Sequence, residues 1–513
     1  MKGTENAYEG ENRSLHMKER IGYGIGDFAN NMMYTPVNSF FTYFLTNVAG
    51  LGAGVVGTIL LVSRLLDGVS DLIVGSLMEK IHSKHGKARP WLLWWCIPFA
   101  VSLVLMFTAP DFGTTGKIIY AFLTYNLAVT VVYTAINLPF GSLAALMTKN
   151  QTERGYLNIS KMVFAFGGGM VVNAATLPLV KYFGNDSSAW QKTFLIYGVV
   201  AIIFFLIVFF TTKEAVTEEA KKAGSEEKVN IPQALKSLIK NKYWMILLAI
   251  FFLNSVVNAF IGVNVYYAQY IMNDDSLVGN LSIFQNIASF AAFAICTGII
   301  RKIGKQKIAI SGVAISFIGY AMVLLNPTSY AVLYIAAIIK GVGNAALSGV
   351  MYGMLADTVE YNDWKSGIRA EGLVFSANSI GQKIGSGIGS AVLGWVLAAF
   401  GFVSSSAAQP ASAISGIRVI FLYVPLVVFA IMFIILLFYK LDKEYGHIVE
   451  DLEKRARACL KNHSCNLHAP LCSIFCPNSV AVARYGALIR TKSPTNCDAH
   501  LAESFFQTRS KRA

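Results

Sequence analysis

Twelve apolar segments recur along this chain, and no other feature narrows its fold so far. They cover 21–47, 55–80, 91–110, 117–147, 157–183 and 193–212. After a polar stretch from Lys213 to Asn241 come 243–272, 278–300, 308–326, 330–357, 369–400 and 415–439. As a helix, each is long enough to cross a hydrocarbon core of about 30 Å. Composition agrees: only 14% of the 513 residues are charged, where a soluble domain carries about 25%. Mean hydropathy is +0.52. The sequence therefore predicts an all-α membrane protein of twelve transmembrane helices in two six-helix halves.

The net charge of +14 raises the question of nucleic acid. The basic residues answer it by their positions. Lys80, Lys84, Lys87 and Arg89 follow the second run, and Lys149 and Arg154 the fourth. The middle stretch holds Lys213, Lys221, Lys222 and Lys228. Arg301, Lys302, Lys305 and Lys307 follow the eighth run, and Lys365 and Arg369 the tenth. The alternate loops hold little beyond Lys117, Lys181, Lys192 and Arg418. This alternation is the positive-inside pattern, with both termini cytoplasmic, and it excludes a nucleic-acid groove. The start, MKGTENAYEGENRSLHMKER, lacks the apolar core and cleavage site of a secretory signal. The expected location is the plasma membrane of a bacterial cell, as a multi-pass protein.

The expected organisation is a cytoplasmic N-terminal segment (1–20), a first half (21–212), a cytoplasmic central loop (213–241), a second half (242–440) and a disordered cytoplasmic tail (441–513). Gly86-Lys87-Ala88-Arg89 and Gly304-Lys305-Gln306-Lys307 fall at equivalent places in the two halves. Paired halves suggest a transporter with its site between them. Beyond Leu460 the composition shifts to Cys, His, Ser and Arg, as if the tail were foreign to the rest. Its Cys459, Cys465, Cys472, Cys476 and Cys497 fit no zinc spacing, so no metal is expected. Cys96 and Cys296 lie in apolar runs and read as buried small hydrophobes.

Ionisable groups inside a span are costly and mark function. Run two reads Arg64-Leu65-Leu66-Asp67-Gly68-Val69-Ser70-Asp71. Asp67 and Asp71 share a helix face, with Arg64 one turn earlier. Two carboxylates beside the Ser70 hydroxyl suit a small hard cation, or a shared proton. The bland alternative is a structural pair neutralised by Arg64 and a lysine. Run four adds Thr134 and Asn137, neutral oxygens one turn apart, whose bland role is interhelical hydrogen bonding. The cation-binding set is thus Asp67, Ser70, Asp71, Thr134 and Asn137, with Na+ or H+ as coupling ion and no other cofactor. Lys161, Lys340 and Lys383 lie deep and must meet an acid, water or an anionic substrate; Lys161 could instead snorkel to the interface. Asp27, Asn30, Asn31 and Asn38 crowd run one, while Asn254, Asn258, Asn264, Tyr266, Tyr267 and Gln269 crowd run seven. Such donors and acceptors suggest a polyhydroxylated ligand. The substrate-binding set is Asp27, Asn30, Asn31, Arg64, Lys161, Lys340, Asn378 and Lys383. No nucleotide-binding loop is present.

GDFANN, RLLDGVSD, GKARPW and NLPFGSL, with ADTVEY and GIRAEGLVFS leading into run eleven, resemble the glycoside–pentoside–hexuronide:cation symporter family. The likeness runs from about Arg20 to Tyr445 and is nearer the glucuronide and xyloside carriers than the melibiose permease. It implies a major-facilitator-type fold and cation binding at Asp67 and Asp71, with Ser70 and Thr134 matching further polar positions. It implies that the family's sugar-binding basic residue of run five falls on Lys161 and its run-eleven lysine on Lys383. Where the permease has acids in runs one and four, this chain has Asn31 and Asn137; Lys340 has no counterpart. Fewer acids and as many bases favour an anionic substrate such as a uronide over a neutral galactoside. The expected function is cation-coupled symport of a glycoside, a hexuronide or pentoside, by alternating access. A sugar sensor that does not transport is the alternative, and an enzyme is excluded.

Overall fold

A computed structural model describes residues 14–80, 83–84, 86–215, 231–368 and 370–465. Hydrocarbon offers no water to backbone N–H and C=O groups, so a spanning chain must satisfy them internally. Among the described residues the chain does so with helices, which stack into twelve rods. The first half comprises α1 (17–48), α2 (Ala53–Lys80), α3 (Arg89–Met106), α4 (Thr114–Met147), α5 (Gln151–Tyr182) and α6 (Ser187–Thr211). The second comprises α7 (Lys242–Met272), α8 (Ser276–Ile303), α9 (Lys305–Val323), α10 (Tyr330–Ser366), α11 (Glu371–Ala399) and α12 (Ala411–Leu437). Ten of these are apolar enough throughout to be read as spans by composition alone. The other two, α1 and α11, are diluted by polar and glycine residues.

Side-chain caps start several rods. Asn150 accepts the N–H groups of Thr152 and Glu153 (3.0 and 3.4 Å) at α5. Asp186 accepts that of Ala189 (2.7 Å) at α6, and Asn241 that of Trp244 (3.1 Å) at α7. The weak sequence echo between the halves has a structural counterpart. Gly86 and Gly304 both take positive φ, +107° and +91°, and both precede the N-terminus of the third rod of their half. A carboxylate from just beyond the sixth rod then caps that terminus. Glu214 accepts the N–H groups of Lys87, Ala88 and Arg89 (2.8, 2.9 and 2.9 Å). Asp442 accepts that of Gln306 (2.7 Å). An anion at a helix N-terminus is favoured by the macrodipole, so each half is tied head to tail by the same device.

The halves meet where α2 packs on α11 and α5 on α8. Glycine decides how closely. A Cβ on Gly57 would lie 2.8 Å from the Ala391 carbonyl, and one on Gly394 would lie 2.4 Å from that of Ala53. Gly279 stands equally close to Ala174. These contacts lie at the face opposite the chain ends, here the far face. Further cross-half bonds seal it. The Thr46 and Tyr266 hydroxyls share a hydrogen bond (2.7 Å), Asn173 donates to Ser282 (3.1 Å) and Ser404 to the Leu51 carbonyl (2.7 Å). Towards the terminal face Gly68, Gly75, Gly155, Gly298 and Gly372, on the same four rods, face open space. The bundle is closed at the far face and open at the terminal face.

The tail expected to be disordered begins instead with a helix, Leu441–Cys465. Leu441, Ile448 and Leu452 bury against the second half. The Tyr243 hydroxyl donates to Glu444 (3.1 Å), and Trp364 Nε1 to Asp451 (3.2 Å). One apolar stripe and a row of acids dock this segment, a pattern too short to read as a span and too polar to read as core. The remaining tail cysteines lie outside the described residues.

Candidate functional site: a polar cluster between the halves

The acids of α2 sit where three other rods converge. Asp67 is 4% exposed. Thr130 of α4 donates its hydroxyl to Asp67 Oδ1, and Arg64 donates to Oδ2 (3.4 Å). Arg64 also donates to Asn38 of α1 (3.1 Å). The Ser70 hydroxyl lies 3.4 Å from Thr134 Oγ1 and donates to the Asp67 carbonyl (3.0 Å). Lys383 of α11 pairs with Asp71 and donates to the Asp67 carbonyl (3.2 Å). Two acids and two bases thus cancel within one cluster. A buried charge is tolerated when paired and hydrogen-bonded, and both carboxylates are.

The path of α4 builds part of this site. Residues Asn126–Tyr133 form a π-helical stretch. One extra residue per turn swings Asn126 and Thr130 towards α2; such bulges recur at functional sites. Asn126 donates to Ser63 (2.8 Å), and its Oδ1 lies 3.1 Å from the Thr130 hydroxyl. Asn126 and Thr130 did not stand out in the sequence. Being neutral residues in an apolar run, they carry no charge signal, and helical spacing misplaces them across a π turn.

The other expected site residues fall in three places. Asn137 lies half-buried one turn beyond Thr134, without a side-chain hydrogen bond among the described residues. Where α1 packs on α5, Asn31 bonds within its own helix, donating to the Asp27 carbonyl (2.8 Å) and accepting from Thr35 (2.9 Å). Lys161 lies over the Phe140 ring at 5.4 Å and attracts Asp27 electrostatically. Asn30 is buried with neither side-chain polar atom paired. Tyr34 and Tyr133 stack at 6.1 Å between this group and Arg64, with Tyr34 exposed.

Lys340 and Asn378 are elsewhere. The Lys340 ammonium sits over the rings of Tyr320 in α9 and Phe421 in α12, at 4.7 and 5.5 Å. It lies among rings of the second half, apart from the cluster around Asp67 and Asp71. Position along a span gives depth but not azimuth, and azimuth separates these lysines. Asn378 is buried on the stripe of α11 that continues through Gly381 and Gly385, which press on Leu248 and Phe252 of α7. It faces α7, not the cluster.

Twelve rods in two similar halves, open at one face, with ionisable groups at mid-depth between them, define a membrane transporter of the major-facilitator type. A profile of the family described as "MFS/sugar transport protein" matches residues 22–443, and the chain belongs to that family. A second profile, of a family of unknown function, matches residues 460–513. The chain is 36% identical to an isoprimeverose transporter of Lactiplantibacillus pentosus over 445 residues, 85% of this chain and 91% of the relative. It is 29% identical to a glucuronide carrier protein homolog of Escherichia coli, over 87% and 97% of the two chains. Its fold is shared with the inward-facing crystal structure of a bacterial homolog of the human lysosomal transporter Spinster. That match has a TM-score of 0.58 at 13% identity and covers 83% of this chain and 96% of that one.

Proposed function

We propose that this protein is a cation-coupled symporter that imports a glycoside by alternating access. The observation that carries the reading is the meeting of Asp67, Ser70, Asp71 and Thr134 with Lys383 across the boundary between halves. Carboxylates and hydroxyls are the oxygen ligands a hard cation takes. The basic loops lie on the terminal face, so the positive-inside rule assigns that face and both chain ends to the cytoplasm. In this reading the described arrangement is inward-open, with Lys383 paired to Asp71. Sugar binding falls to the cavity wall of α1, α4 and α5. There the Tyr34–Tyr133 stack offers apolar faces to a sugar ring, and Asp27 and Lys161 offer polar groups.

The substrate in this reading is a neutral glycoside. The charge argument for a uronide relied on Lys340 and Lys383 being free to meet a carboxylate; one lies among aromatic rings and the other holds Asp71. A sensor that does not transport lacks a supporting observation. The test is uptake into proteoliposomes. A labelled xyloside or glucoside should accumulate against its gradient only with an inward Na+ or H+ gradient. Equal competition by the matching glucuronide sinks the neutral assignment, and equilibration without accumulation sinks the coupling.

A further inference from the structure

A second polar recess lies outside the transport pathway, where the chain enters the second half. The short helix Ile231–Ile239 precedes α7 and packs on the bundle through Ala234 and Leu238, both fully buried. That register turns Gln233, Lys236, Ser237 and Lys240 towards the end of α10. Between them and Asn362, Lys365 and Ser366 lies a cavity of about 330 Å³. No Asp or Glu among the described residues lines it. Among the described residues none of its three lysines pairs with a carboxylate; Lys365 donates only to the Tyr361 hydroxyl (3.4 Å). The wall is held in place, since Asn362 donates to Ser237 (3.2 Å) and to the Ile368 carbonyl (2.7 Å).

Three like charges around a preformed space repel one another. An anion among them removes that cost, and a doubly charged one does so best. Lysine serves phosphate as a point charge, with hydroxyl and amide groups completing the oxygen contacts. The volume exceeds a bare phosphate and falls at the small end of ligand sites. On the other flank of the same helix Leu235 and Ile239 are exposed. An apolar flank beside a lysine flank is how a helix lies at a membrane–water boundary, where lipid phosphates and soluble phosphates are both within reach.

We propose that this cavity is a phosphate-binding site, taking a phosphate ester whose anionic group sits among Lys236, Lys240 and Lys365. The test uses the full-length protein in detergent with two probes. In one arm, thermal unfolding is followed with inorganic phosphate against chloride at matched ionic strength. In the other, protein from vesicles of phosphatidylcholine with phosphatidylglycerol is examined by native mass spectrometry for retained anionic lipid. The variants are the triple Lys236→Gln, Lys240→Gln, Lys365→Gln and, as control, Lys443→Gln. Each lysine near an anionic group contributes about a factor of five, so the triple variant should bind about 100-fold more weakly. Lys443→Gln should match the parent. Protection by phosphate alone identifies a soluble phosphate ester, and retention of phosphatidylglycerol alone identifies a lipid headgroup; either supports the site. The proposal is overturned if neither probe binds, if chloride protects equally, or if the triple variant stays within twofold of the parent.

Discussion

Replacing Lys383 by Gln removes the internal cation from Asp71. Two unit charges about 4 Å apart attract by about 4 kcal/mol at an effective dielectric of about 20. The Lys383 and Asp71 side chains are 26% and 33% exposed, so solvent screens the pair. Halving the attraction leaves about 2 kcal/mol, or about 30-fold in an equilibrium constant. An entering ion must displace Lys383 to reach Asp71. Lys383→Gln should therefore bind the coupling ion about 30-fold more tightly, while accumulating less sugar because the empty carrier returns with an uncompensated acid. The assay is a titration of ion-dependent sugar binding on purified protein, beside uptake in proteoliposomes. Unchanged or weaker ion affinity in Lys383→Gln would falsify the displacement argument. A double variant, Asp71→Asn with Lys383→Gln, should recover sugar exchange without ion dependence.

Asp67→Asn and Asp71→Asn should each abolish uphill accumulation, with counterflow exchange surviving in at least one; accumulation by both would remove the cation-site assignment. Thr130→Val should lower ion affinity by about tenfold, the worth of a hydrogen bond to a charged group, in the same titration. Gly57→Val places side-chain atoms against the Ala391 carbonyl and should hold the far face open, seen as faster labelling of a cysteine placed at Asn38 from outside. Truncation after Cys465 should leave expression and uptake within a few-fold of the parent, whereas truncation after Leu441 removes Ile448 and Leu452 from their packing and should lower membrane-inserted protein.

Much of this fold is written in apolar run length, which lipid enforces residue by residue. Run two stands out in the sequence for the same reason: a charge inside a span is costly, so Asp67 and Asp71 draw the eye, and the structure brings them together with Arg64 and Lys383. The lysines were harder. Lys383 and Lys340 have the same sequence signature, one charge in mid-span, yet one meets Asp71 and the other Tyr320 and Phe421. Depth follows from counting residues, whereas rotation about the helix axis depends on neighbours far away in sequence. Asn126 and Thr130 were hidden by the π stretch, which shifts their direction relative to an ideal helix. The helix after Leu441 was missed because its stability comes from docking on the bundle, through Ile448, Leu452 and Asp451, more than from any local propensity.

The two acids have different partners, and the difference gives them different parts in the proposed coupling. Both side-chain partners of Asp67, Arg64 and Thr130, belong to its own half, so they travel with it when the halves rock. The partner of Asp71 belongs to the opposite half, so the Asp71–Lys383 pair is a mid-depth clasp between the two moving bodies. An ion that binds Asp67 and Asp71 together leaves the Asp67 side-chain contacts intact and frees Lys383 from Asp71 and from the Asp67 carbonyl. Its binding is then linked to the relative position of the halves through the bonds of Lys383, which is the differential interaction a coupled carrier needs. Substrate that widens or narrows the space between α1, α4 and α11 acts on the same clasp from the other side, and by reciprocity each ligand changes the affinity for the other.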